Sequence, residues 1–271
     1  MYRSWFALLF AFTAVGLFAQ TEIPLINDSS QTMTTPTQLR RIEPPSPTAT
    51  AKELEERGDI LRTEKYYADA IDYYQAAIKK SPTPAQLYNK EGIAELQMLH
   101  FNEAKHLFER AIKSNREFPE ATNNLGVVYY NMRSYGKAVK YYRRAIGMND
   151  DSASFHSNLG TAYFSQHKYE KASKEYATAL SLDPEIFERH SQAGITAQMS
   201  SPEERARYSY VIAKMFATRG DADRCLLYLK KAMEEGYKVA EGFEKDREFA
   251  SYRKDPRFLT LLNHPPLPLP N

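Results

Sequence analysis

Small and aromatic residues recur along this chain at helical spacing and in a fixed order. Ala138, Tyr142 and Ala145 are spaced i, i+4, i+7, so they share one face of a helix. The same small–aromatic–small set stands at Ala70, Tyr74, Ala77, at Ala104, Phe108, Ala111, at Ala172, Tyr176, Ala179 and at Ala206, Tyr210, Ala213. Twelve residues before each first alanine stands a glycine: Gly58, Gly92, Gly126, Gly160 and Gly194. Every position of the set therefore returns after 34 residues. That period predicts two amphipathic helices per unit, each of about 13 residues and about 20 Å long. In the third unit they fall near 119–132 and 135–147, with Leu125, Gly126 and Tyr129 on the packed side of the first. Glycine inside a helix costs roughly 1 kcal/mol relative to alanine. Its recurrence implies that paired helices approach closely where a Cβ is missing, with the alanines serving the same end from the other helix. The central aromatic is expected to fill the space between neighbouring pairs.

Helix boundaries agree with this division. Six prolines (Pro82, Pro84, Pro119, Pro184, Pro202, Pro256) fall at junctions between predicted helices and none within them. Ser201-Pro202-Glu203-Glu204 reads as an N-cap, a first-turn proline and a capping-box acid, and Asp255-Pro256 opens a further short helix. The fifth unit is ambiguous. Residues 203–219 fit as its second helix, yet Ala213, Phe216, Cys225, Leu229 and Ala232 also match a fresh repeat beginning near Ala206.

The period and this residue set resemble the tetratricopeptide repeat (TPR). Pro82 and Pro184 occupy that family's end-of-repeat position, whereas its early Trp is replaced by Leu54, Tyr88, Thr122 and His156. The resemblance implies an all-α fold, a right-handed α-solenoid of antiparallel helix pairs (the TPR superhelix). Four repeats are expected at 51–84, 85–118, 119–152 and 153–186, followed by divergent TPR helices at 187–236. Residues 237–264 resemble the C-terminal extension that follows such arrays in some bacterial proteins. Physically they form short helices that cap the last apolar face, as a solenoid requires. A Pro-rich tail covers 265–271.

The chain's start has a different pattern. Arg3 precedes an apolar run, Trp5 to Phe18, broken only by Thr13. The run is too short for a membrane span of about 20 residues but suits a signal peptide over 1–19. Cleavage is expected after Ala19, with Ala14-Val15-Gly16 as a rival site and an uncleaved membrane anchor as the alternative. The expected localisation is export, to the periplasm or the extracellular space. Residues 20–50 hold seven Thr, five Pro and no aromatic, which predicts a disordered or polyproline II linker.

Composition narrows the function classes. Lys plus Arg is 36 and Asp plus Glu is 34, without the basic excess of a nucleic-acid-coating protein. One cysteine excludes an intramolecular disulfide framework. Cys225 takes the place of the repeat alanines and reads as a buried thiol. The six histidines show no HxxxH or HExxH spacing, and His156 and His190 are expected at surface or groove positions rather than in a metal site. No phosphate-binding, dinucleotide-binding or nucleophile-elbow motif is present. Neither catalytic chemistry nor a metal or small-molecule cofactor is expected. Lys137, Lys140, Arg143 and Arg144 form a basic stretch on one helix, read as a solvated face with an anionic partner as the lesser alternative.

The TPR resemblance points to the concave groove as the functional surface, lined by the first helix of each repeat and occupied by a protein or peptide partner. Groove positions fall on Asn89, Asn123, Val127, Tyr130, Asn158, Thr161 and Phe164, with Gln86, Lys90 and Asn131 nearby. An asparagine amide both donates to and accepts from a peptide backbone. Asn124 and Asn158 also stand where the family uses Asn for packing between helices. The family's carboxylate clamp is not reproduced, since Lys90 stands alone. The expected function is an exported, non-enzymatic scaffold for protein–protein interaction in a bacterial cell envelope. A carbohydrate-binding or enzyme-associated accessory module, using Tyr-rich helix faces, is the alternative. Membrane association is expected only if the N-terminal segment is not cleaved.

Overall fold

The computed structural model describes residues 43–191 and 201–268. The expected signal segment, the linker up to residue 42, Gly194 and the last three residues lie outside them. The described residues are all-α, without a strand. Four helix pairs follow one another: α1 (Ala51–Thr63) with α2 (Tyr67–Lys80), α3 (Ala85–Gln97) with α4 (Phe101–Ser114), α5 (Pro119–Asn131) with α6 (Tyr135–Ile146), and α7 (Ala153–Ser165) with α8 (Tyr169–Leu182). Each second helix also packs on the first helix of the next pair. The first helices of successive pairs approach one another more closely than the second helices do, so α1, α3, α5 and α7 line the inner, concave side.

The repeated glycine has a specific partner. A Cβ built on Gly58 would stand 2.7 Å from the ring of Tyr74. Gly92 meets Phe108, Gly126 meets Tyr142 and Gly160 meets Tyr176 in the same way, at 2.8, 2.7 and 2.6 Å. The ring from the second helix thus sits on the bare backbone of the first helix of its own pair. This seat within the pair adds to the expected filling of the space between pairs, and Tyr176 also meets the rings of Phe187 and Tyr208 beyond its own pair. All four rings are essentially fully buried.

Within each pair the turn is made by a residue with positive φ: Lys65, Leu99, Arg133 and His167, again 34 residues apart. Two backbone bonds close each turn; in the third pair Arg133 N–H donates to Tyr130 and Ser134 N–H to Tyr129. This is the Schellman arrangement, where glycine is the usual residue.

At the start, Thr50 caps α1 through a reciprocal capping box with Glu53. Residues 43–50 run along α2: Tyr73 Oη donates to the Glu43 carbonyl at 2.8 Å, and Lys80 Nζ to the carbonyls of Pro47 (2.7 Å) and Ala49 (2.5 Å). The last eight residues of the expected linker are therefore anchored, because these backbone carbonyls find donors on α2.

After α8 come α9 (Ile186–Ser191), α10 (Pro202–Thr218), α11 (Ala222–Glu234), α12 (Val239–Lys245), a 3₁₀ turn (Arg247–Tyr252) and α13 (Pro256–Asn263). Helix α10 packs antiparallel on α11 as the first member of a pair, which decides the place of 203–219 among the described residues. Ala213 and Leu229, both fully buried, stand sixteen residues apart, as Gly126 and Tyr142 do. Here an alanine and a leucine hold the two positions at which the repeats set bare backbone against a ring. Ser201 Oγ accepts from Glu204 N–H at 3.1 Å, which is one half of the expected capping box. Asp255 caps α13. Phe243, Phe249, Tyr252 and Phe258 stack in series and close the apolar end of the array.

Candidate partner-binding groove

Three rows of side chains run along the concave side, each with the 34-residue period. The first is Glu55, Asn89, Asn123 and Ser157, the second Asp59, Ile93, Val127 and Thr161, the third Arg62, Leu96, Tyr130 and Phe164. Their chemistry changes along the array. The first repeat supplies charge, the second and third supply amides and aliphatic carbon, and the fourth supplies hydroxyls and an aromatic ring.

The asparagines bond to one another across repeats. Asn158 Nδ2 donates to Asn123 Oδ1 at 3.1 Å, Asn123 Nδ2 to Asn124 Oδ1 at 3.4 Å, and Asn124 Nδ2 to Asn89 Oδ1 at 3.0 Å. Asn89 and Asn123 are only 7% and 6% exposed. This chain of amides fixes the register of α3, α5 and α7. Each amide has four bonding positions, and the chain uses only some of them. Asn131 turns back to donate to the Val127 carbonyl at 2.9 Å. Val127, Ile93 and Leu96 are half-buried, with part of each side chain on the open side.

The remaining expected groove residues are packed. Tyr130 Oη and Ser165 Oγ are 2.9 Å apart, and the Tyr130 ring lies against Tyr135. Burial pushes the Tyr130 hydroxyl above the usual phenol range. Thr161 Oγ1 donates to the Ser157 carbonyl and accepts from Tyr176 Oη at 3.2 Å, within the helix pair. Phe164, 3% exposed, meets the rings of Tyr169 and of Tyr208 on α10. Helix α10 thus covers Phe164, Thr161 is enclosed within its own pair, and the open part of the groove lies along the first three repeats.

At the other end, Lys90 Nζ lies 2.6 Å from Glu55 and 2.5 Å from Asp59. Asp59 also accepts from Tyr74 Oη at 2.8 Å. Burial alone would lower the Lys90 pKa, but these two carboxylates raise it above the ordinary lysine value. Lys90 is therefore neutralised by acids of its own chain, not poised for a partner's C-terminus. Gln86 is exposed at the groove's edge.

Ile93, Leu96 and the two acids Glu55 and Asp59 that meet Lys90 are groove residues that the sequence reading missed. The signal that finds them is the period itself: Ile93 precedes Val127 by 34 residues, and Leu96 precedes Tyr130 by the same interval. His156 differs from expectation. It is buried, with Nδ1 2.7 Å from a Glu175 carboxylate oxygen and Nε2 3.1 Å from the Asp150 carbonyl, so it ties the α6–α7 loop to α8. The ring sits there because α8 offers Glu175 and the loop turns a carbonyl toward it. His190 lies outside the side chains described. Cys225 is fully buried, and burial, with Asp221 adding, pushes its thiol up to about 12. Among the described residues no group of three His, Cys, Asp or Glu could hold a metal ion, and no helix is long and apolar enough to cross a membrane.

Comparison with known proteins agrees on the repeat. No curated protein sequence matches the chain. Among solved structures, a crystal structure of MamA is 23% identical, over 68% of this chain and 96% of its own, with a TM-score of 0.46. YrrB, described as a TPR protein with an unusual peptide-binding site, is 19% identical over 69% and 86%, with a TM-score of 0.45. MamA (41-end) from Desulfovibrio magneticus RS-1 is 18% identical over 68% and 94%, with a TM-score of 0.48. Tetratricopeptide repeat family models match residues 89–154 and 153–186. With the 34-residue period, the stacked helix pairs and the glycine–ring seats, these matches make the chain a tetratricopeptide-repeat protein.

Proposed function

We propose that this protein is a non-catalytic scaffold that holds an extended segment of a partner protein along the concave side of its first three repeats. The observation that carries the reading is the change of chemistry along the three rows. Glu55, Asp59, Arg62 and Lys90 give a charged end whose carboxylates and cations balance, and the amides of Asn89, Asn123 and Asn124 give a polar floor already held in register. Ile93, Leu96 and Val127 give half-buried aliphatic carbon for an apolar anchor. Preformed amides lower the ordering cost of binding. The sugar-binding alternative loses support because Tyr74, Tyr142, Tyr176, Tyr208 and Tyr228, which a sugar-stacking face would expose, are all buried. Export belongs to the same proposal and is supported by Arg3 and the apolar run from Trp5 to Phe18. It places the partner in the cell envelope or outside the cell.

The test is capture of partners from an envelope fraction by the wild-type chain and by an Ile93→Arg, Val127→Arg variant. Both substitutions place charge on open groove carbon while leaving the helix-pair seats intact. The proposal expects the variant to keep its helicity and lose at least about tenfold in affinity, or about 1.4 kcal/mol. Undiminished capture, or capture of glycan in place of protein, would overturn it.

A further inference from the structure

Helix α6 carries a surface that the groove does not use. It presents Lys137, Lys140, Arg143 and Arg144 to solvent and contains no acidic residue. Several cations elsewhere are met by carboxylates: Arg205 by Glu235 and Lys214 by Asp246, both at 2.8 Å, and Arg224 by Glu188. Among the described residues no carboxylate stands within ion-pair distance of the four cations of α6. Lys137 Nζ lies 5.2 Å from the centre of the Tyr129 ring. Arg144 Nη2 reaches only the Arg116 carbonyl, at 3.5 Å. On the adjoining α4, Glu109 acts on the neighbouring Tyr141 and stands 3.7 Å from His106.

The same face lacks what a protein interface needs. Ala138, Tyr142 and Ala145 are buried, and Val139 and Ile146 pack against the core. A protein interface is carried by apolar or aromatic anchors that fill pockets; the half-buried ring beside Lys137 and Arg144, Tyr141, lies flat on Tyr129 with centroids 5.3 Å apart, so it does not project as an anchor. Gly136, at its start, has open space where a Cβ would stand. What remains is positive charge on long, flexible stems over a smooth surface. That chemistry suits a delocalised anionic surface rather than one shaped ligand.

We propose that the outward face of α6 is a docking surface for an anionic lipid bilayer. It lies on the second helix of its pair, so the concave side stays free for a partner. Each Lys or Arg near an anionic leaflet strengthens partitioning roughly fivefold at low salt. The attraction is screened over about 10 Å at 0.1 M salt.

The test is sedimentation of the full chain with vesicles of phosphatidylcholine containing about 30 mol% phosphatidylserine, beside vesicles of phosphatidylcholine alone. The apolar run near the N-terminus is present in every variant, so the readout is the difference between variants. Replacing Lys137, Lys140, Arg143 and Arg144 together by Gln should weaken binding to anionic vesicles by about 100-fold or more. Replacing four other exposed cations, Lys79, Lys113, Arg219 and Lys254, should weaken it far less. Lys140→Glu alone, which changes the charge by two, should weaken it about 20-fold and serves if the fourfold variant misfolds. Wild-type binding that is equal on neutral and anionic vesicles would overturn the proposal. So would an equal loss in the two fourfold variants, or a preference for an oligonucleotide or an acidic polypeptide that depends on the same four cations.

Discussion

A Cβ on Gly126 would stand 2.7 Å from two carbons of the Tyr142 ring, closer than side-chain carbons pack. Gly126→Ala should therefore destabilise by about 2 kcal/mol, because the ring is fully enclosed and has nowhere to move. The Ala213–Leu229 pair in the last helix pair suggests the compensation. In a double-mutant cycle, Gly126→Ala and Tyr142→Leu should cost less together than the sum of their single effects, by about 1 kcal/mol or more in thermal or urea melts. Additive losses would mean that ring and glycine do not share the space. The row of glycines was legible in the sequence because it keeps its phase. Its partner was not, because periodicity identifies the face of a helix but not which neighbour a ring on that face touches. Glu91 is a second case. It is 5% exposed at a position where later repeats carry Leu125 and Leu159, and its carboxylate accepts from Gln75 at 2.9 Å. Burial raises its pKa above the carboxylate range, with Glu95 adding and the Gln75 bond opposing. The folded state thus holds this proton to higher pH than the unfolded chain, so the residue's penalty grows as pH rises through the raised value. Glu91→Leu should stabilise by about 1 kcal/mol or more at pH 7, and the gain over wild type should shrink as acidification protonates the folded-state carboxyl. A gain independent of pH would show that packing alone is responsible.

The tight turns belong to the scale of elements. Lys65, Leu99, Arg133 and His167 hold φ between 56° and 67°, where a Cβ is strained by roughly 1–2 kcal/mol. Leu99 is also 68% exposed, so its side chain contributes little packing to offset that strain. Leu99→Gly should stabilise by about 1 kcal/mol after the larger entropy of the unfolded chain is subtracted, whereas Leu99→Ala should change little. Equal effects of the two would remove strain as the cause. In the third pair the expected helices, 119–132 and 135–147, each end within one residue of the observed Pro119–Asn131 and Tyr135–Ile146, since the patterning stops where the turn begins. The turn conformation was hidden, because four different non-glycine residues occupy it and none of them signals a positive φ. The α10–α11 pairing was hidden for another reason. Helix α10 carries two overlapping sets of small and aromatic positions: Tyr210 bonds to Asp246 of the extension, while Phe216 stacks on Tyr228 of α11. Sequence pattern alone cannot rank two buried faces of one helix.

At the scale of the whole molecule, the array begins and ends by different means. In α1 the positions that correspond to Ala121, Leu125 and Val128 are Glu53, Arg57 and Ile60, and Ile60 is 47% exposed where Val128 is fully buried. The first helix thus presents a largely polar face outward and needs no further helix before it. At the other end the stacked rings of Phe243, Phe249, Tyr252 and Phe258 supply the cover. Between these ends lies the concave surface. Its asparagines were legible as a row, and their mutual hydrogen bonds were not, since a bond between Asn158 and Asn123 depends on the offset of two helices. The covering of Phe164 was likewise beyond a reading by repeat phase, because Tyr208 arrives from a helix outside the regular array. The central claim is that a partner lies along the open groove of the first three repeats. The most direct measurement is photo-crosslinking in native cells with a photoreactive residue at Val127, compared with one at Gln75 on the outer helix α2. The account predicts a discrete crosslinked partner from Val127 and none from Gln75. Crosslinks to the same partner from Gln75 but not from Val127 would contradict it.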